Sequence, residues 1–151
     1  MTMTKTFAAL TLSALLAACA TTPQPAPFDP RTADFSTASN GDLCATYGAG
    51  GPRREEAARE LAKRRVFTGA QWQRIEAGAL EVGMPACAVA AAYGPRTEQS
   101  DTRTLPDANL KQQTAIYACG KRALPFCPYT RVETTNGKVS AIAPASGPRV
   151  E

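Results

Sequence analysis

Apolar residues recur at helical spacing through the middle of the chain and alternate near its end. In residues 52–65 (PRREEAARELAKRR), Ala58, Leu61 and Ala62 form a narrow apolar stripe on an otherwise charged segment. Pro52 suits a first helical turn, and Glu55–Arg59 and Glu60–Arg64 stand at i,i+4 in the favourable order. A helix is predicted there. Thr68 and Gln71 have capping-box spacing ahead of Trp72, Ile75 and Ala79, which predicts a second helix with Trp72 as its core anchor. Residues 85–93 (PACAVAAAY) start at a proline and stop before Gly94-Pro95, the usual asymmetry of a helix. Their alanines permit close packing.

Residues 96–113 are polar and read as a loop. Strands are predicted at 114–119, 129–134 and 139–143. Asn136-Gly137 between the last two is the strongest short hairpin signal, because a type I′ turn needs positive φ at both central positions. An unbroken two-residue hairpin would set Thr134 opposite Val139, Val132 opposite Ala141 and Thr130 opposite Ala143. That register makes the even-numbered residues of the middle strand an apolar face. The fold expected is α+β, with two to three short helices on one face of a three-stranded antiparallel sheet.

Residues 20–39 carry four prolines and six Ser/Thr, a composition that stays extended, and read as a tether. Phe28 and Phe35 are its large apolar groups and can dock on the domain, which is expected over 40–146 with a short tail at 147–151. Gly48 to Gly51 (GAGG) precedes a predicted helix but lacks the Lys-Ser/Thr of a phosphate loop, so it reads as a flexible turn.

Residues 1–18 have one positive charge, Lys5, followed by a short apolar run, FAALTLSALL. A run of that length is a secretory signal, since spanning a bilayer takes roughly 20 apolar residues. Leu16-Ala17-Ala18-Cys19 then resembles the lipobox of bacterial lipoproteins, in which cleavage precedes a cysteine that receives acyl chains. The resemblance implies anchoring through Cys19. Ala20, where an aspartate would signal inner-membrane retention, points to the outer membrane.

The chain has 17 Lys+Arg, 13 Asp+Glu and no histidine. Lacking histidine, it has no Ser-His-Asp triad, Cys-His pair or histidine metal site. The basic excess is weak, and an extracytoplasmic address makes nucleic acid an unsuitable partner. Besides Cys19 there are Cys44, Cys87, Cys119 and Cys127, which allow three pairings in an oxidising compartment. Cys119 and Cys127 fall at the facing ends of two predicted strands. Their bridge, which sets Tyr117 opposite Tyr129, is favoured, leaving Cys44–Cys87. The spacings suit neither a redox C-x-x-C nor a zinc site, and no metal or cofactor is expected.

From Gly83-Met84 through Val89 and Gly94-Pro95 to Asn136-Gly137-Lys138-Val139, the chain resembles the SmpA/OmlA (BamE-like) family of small outer-membrane lipoproteins. The likeness covers about residues 70–143. Pro85 stands where the family has a capping Ser/Thr. The resemblance implies a non-catalytic scaffold or accessory protein of the envelope. On the expected register, Tyr117, Tyr129, Arg131 and Ile142 project from the sheet face opposite the helices, a composition suited to a protein partner. Two alternatives are a peptidoglycan or anionic-lipid binder working through the basic residues of 53–65 and the Lys121-Arg122 loop, and a hydrolase using a carboxylate pair.

Overall fold

A computed structural model of the chain describes residues 27–105, 110–120 and 122–148. The signal peptide, the lipobox and Cys19 lie outside the described residues, as do residues 20–26, 106–109, Lys121 and 149–151. Among the described residues the order is α1 (Asn40–Ala49), α2 (Arg54–Lys63), α3 (Gly69–Glu76), α4 (Cys87–Tyr93), β1 (Gln99–Leu105), β2 (Leu110–Ala118), β3 (Tyr129–Thr135) and β4 (Lys138–Ala145). The four strands form an antiparallel meander in sequence order. The fold is α+β, as expected, with one strand more. No helix among the described residues is long and apolar enough to cross a membrane.

Helix α1 was not expected from the sequence. Ser39 caps it, accepting a hydrogen bond from the Asp42 amide at 3.1 Å. Gly50 ends it in the left-handed conformation, φ 69°. Its buried residues Leu43, Cys44, Thr46 and Tyr47 share one side of the helix, but a threonine and a tyrosine stand among them and Ala45 and Ala49 lie on the other side, so the sequence shows no clean apolar stripe. The GAGG segment is therefore no free turn. Gly48 lies inside α1, where a Cβ would overlap the Ala90 carbonyl oxygen of α4. Glycine here and alanines there let the two helices cross closely.

Residues 27–39, read from the sequence as part of the tether, are packed onto α2. Phe28 stacks on Phe35 with centroids 6.3 Å apart, and Phe35 is buried. Arg53 lies 3.9 Å over the Phe35 ring, donates to the Pro30 and Ala33 carbonyls at 2.9 Å each, and pairs with Glu56. Arg64 donates to the carbonyls of Phe35, Ser36 and Ala38 at 2.7, 3.0 and 2.7 Å, while Glu60 holds its other edge at 2.8 Å. Of the two i,i+4 pairs expected on α2, Glu60–Arg64 forms; the other arginine pair there is Arg53–Glu56, in place of Glu55–Arg59.

The capping box of α3 is present in both directions, Thr68 with Gln71. Trp72 is half-buried and meets Tyr47 and Phe67 edge-on at 5.2 and 5.1 Å. Helix α4 buries Ala88, Val89, Ala91 and Tyr93, and Tyr93 meets Tyr117 of the sheet edge-on at 5.5 Å.

The Asn136-Gly137 turn has positive φ at both residues, 51° and 74°, as expected. Thr134 pairs with Val139, also as expected, but a bulge between Glu133 and Thr134 then shifts β4 by one residue. Val132 faces Ile142 instead of Ala141, and Thr130 faces Pro144 instead of Ala143. On the other side of β3, Tyr117 faces Thr130 and Ile116 faces Arg131, again one residue from expectation. Backbone bonds from Gly83 and Ala86 to the carbonyls of Val139 and Gly137, both 2.8 Å, cover the start of the β4 edge.

The segment 96–113 is not a loop. It supplies β1 and the first part of β2, paired from Gln99↔Ile116 to Leu105↔Leu110. Residues 100–104 are exposed, so this hairpin has too little apolar burial to show as strand alternation in the sequence.

Candidate functional site

Pairing partners share a sheet face, so the register assigns each strand residue to one side. Ala115, Tyr117, Thr130, Val132, Val139 and Ile142 face the helices. The opposite face carries Gln99, Asp101 and Arg103 from β1, Gln112, Thr114 and Ile116 from β2, Tyr129, Arg131 and Glu133 from β3, and a row of alanines, Ala141, Ala143 and Ala145, from β4.

This assignment divides the expected partner-binding patch. Tyr129 and Arg131 lie on the outer face. Tyr117, 5% exposed, is in the core, and Ile142 packs against that core. The physical reason is the pair of one-residue register shifts: period-two geometry moves a side chain to the other face with each slip. The residues missed by sequence reasoning are those of β1 and β2, above all Ile116. Ile116 was read as a strand residue but placed on the helix-facing side, and the polar run of β1 gave no signal.

The outer face forms an open trough of about 520 Å³. Half-buried Ile116 lies at its centre, and the segment Pro144–Pro148 borders one side. That segment crosses Tyr129 closely: a Cβ on Gly147 would stand 3.1 Å from the tyrosine ring. A polar row runs across three strands. Arg103 donates to Gln112 at 2.6 Å, Gln112 to Glu133 at 3.5 Å, and Arg131 approaches Glu133 at 3.4 Å. The trough thus presents an aliphatic centre and an alanine edge beside mutually oriented charges of both signs. Such a surface suits a protein segment of mixed character better than a single small anion or cation.

The basic residues of 53–65 are less available than their number suggests. Arg53 and Arg64 hold the segment 27–39, and Arg54 donates to the Tyr47 hydroxyl at 2.8 Å while lying 4.3 Å from that ring centroid. Lys63 approaches Glu60 at 3.5 Å.

Of the expected disulfides, Cys119–Cys127 is formed. Cys44 and Cys87 are brought together as expected but are both thiols here. Side-chain interaction with Cys87 and burial push the Cys44 thiol up, and the same interaction draws Cys87 down. Burial pushes the Tyr93 and Tyr117 hydroxyls up to about 12 each. The Tyr93 hydroxyl is buried with no hydrogen-bond partner.

Comparison with protein-family models, with curated proteins and with solved structures finds no match for this chain.

Proposed function

We propose that this chain is a non-catalytic, lipid-anchored protein of the outer membrane that faces the periplasm and holds an envelope protein against its open sheet face. The observation that carries the reading is the one-sided fold. The helices and the segment 27–39 lie on one side, and the other keeps Ile116 and the Ala141–Ala143–Ala145 row in an open trough. The lipobox ending at Cys19 supplies the anchor, and the SmpA/OmlA resemblance supports an accessory or scaffold task. The alternative of a peptidoglycan or anionic-lipid surface at the basic helix is weakened by the internal engagement of Arg53, Arg54 and Arg64.

Two substitutions test the two parts separately. Cys19→Ser is expected to move the protein from the membrane to the soluble fraction of the cell, and retention in the membrane would contradict the anchor. Ile116→Glu is expected to weaken co-purification of the partner at least about tenfold while the circular dichroism spectrum is unchanged. Undiminished recovery with the fold intact would contradict the sheet-face surface.

A further inference from the structure

A second opening, about 550 Å³, lies on the helix-facing side between α1, α4 and the β1–β2 end of the sheet. Its walls include the small residues Gly41 and Ala45 from α1, Ala86 just before α4 and Ala90 within it, over Ala115 and Val132. Cys87 is half-buried in that wall. Cys44 has no exposed surface and sits behind it on α1, its side chain interacting with Cys87. One thiol is therefore reachable from solvent through the groove, and the other is reachable only through the first.

We propose that Cys87 and Cys44 form a thiol–disulfide exchange site, in which Cys87 attacks a small disulfide entering the groove and Cys44 resolves the adduct. This goes beyond the scaffold reading and does not depend on it. In the first step the Cys87 thiolate forms a bond to one sulfur of the incoming disulfide, whose own S–S bond breaks and whose second sulfur leaves as a thiolate. In the second, Cys44 attacks the Cys87 sulfur and passes its proton to the departing sulfur, forming Cys44–Cys87 and releasing the remaining half of the disulfide as a thiol. Two protein thiols are oxidised and one external disulfide is reduced to two thiols. The asymmetry of the pair supports this order. The attacking thiol must be accessible and ionisable, and the interaction with Cys44 favours the Cys87 thiolate. The product links α1 to α4 where Gly48 and Ala90 already bring them together.

The test uses the folded full-length chain with Cys44 and Cys87 reduced, treated with excess glutathione disulfide. Peptide mapping by mass spectrometry scores each cysteine, Cys19 included. The wild type is expected to give a Cys44–Cys87 bridge without a lasting adduct. Cys44→Ala is expected to accumulate one glutathione on Cys87. Cys87→Ala is expected to leave Cys44 unmodified until urea is added, its native-state rate being at least about tenfold lower than that of Cys87. Cys44→Ser serves the same purpose should the alanine variant unfold. A lasting glutathione on wild-type Cys87, an unreactive Cys87 in folded Cys44→Ala, or equal native reactivity of Cys44 in Cys87→Ala would each overturn the proposal.

Discussion

Gly48 and Tyr93 show opposite ways in which one residue sets the stability of this fold. At Gly48 the constraint is steric, and the obstructing atom is a backbone carbonyl oxygen that cannot swing aside. Gly48→Ala should therefore destabilise by about 2–3 kcal/mol, even though alanine is the better helix former. A urea midpoint unchanged from wild type would mean that α1 and α4 do not cross this closely. At Tyr93 the constraint is chemical, because its hydroxyl is buried without a partner. Tyr93→Phe removes that unsatisfied group and should stay within about 1 kcal/mol of wild type at neutral pH. The raised hydroxyl also fixes the sign of a pH effect. A group whose pKa goes from the usual 10 when unfolded to about 12 when folded contributes its full share below pH 10. That share is lost as pH rises through 12. Urea midpoints measured from pH 9 to 12 should fall for wild type and fall less for Tyr93→Phe. Equal slopes would place the ionisation elsewhere.

At the scale of elements, the sequence was legible wherever a local rule sufficed. The Thr68–Gln71 capping box, the Asn136-Gly137 turn and the Gly94 stop of α4 each depend on residues only a few positions apart, and all are present. Helix α1 was hidden because its buried side includes Thr46 and Tyr47 while alanines occupy the other side, and because its glycines lower helix propensity. The hairpin of β1 and β2 was hidden for the converse reason, having little apolar surface to bury. Register was legible only up to the bulge at Glu133/Thr134, since an inserted residue leaves no mark in an alternating pattern. The segment 27–39, read from its composition as an extended tether, folds into turns instead, and its attachment was not legible because carbonyls held by Arg53 and Arg64 have no side-chain signature. That attachment gives the element-scale prediction. Arg64→Ala removes the donor shared by the carbonyls of Phe35, Ser36 and Ala38. Limited proteolysis should then cut within 27–39 while the α1–β4 fragment stays resistant. Equal resistance of the two proteins would show that Phe28 and Phe35 suffice to hold the segment.

For the whole molecule, the layered arrangement decides which surfaces remain for function. Helices on one face of a four-stranded meander leave the other face open, and this chain has no second layer to cover it among the described residues. The outer face was half legible: Tyr129 and Arg131 were placed on it, while Ile116 and the β1 residues came only with the observed pairing. The measurement that tests the central claim most directly is site-specific photocrosslinking in living cells, with the probe placed singly at Ile116, Ala143 or Arg59. Probes at Ile116 and Ala143 should give the same discrete protein adduct, dependent on Cys19, and the Arg59 probe should not. An adduct from Arg59 with none from the two sheet positions would contradict the account and move the binding surface to α2.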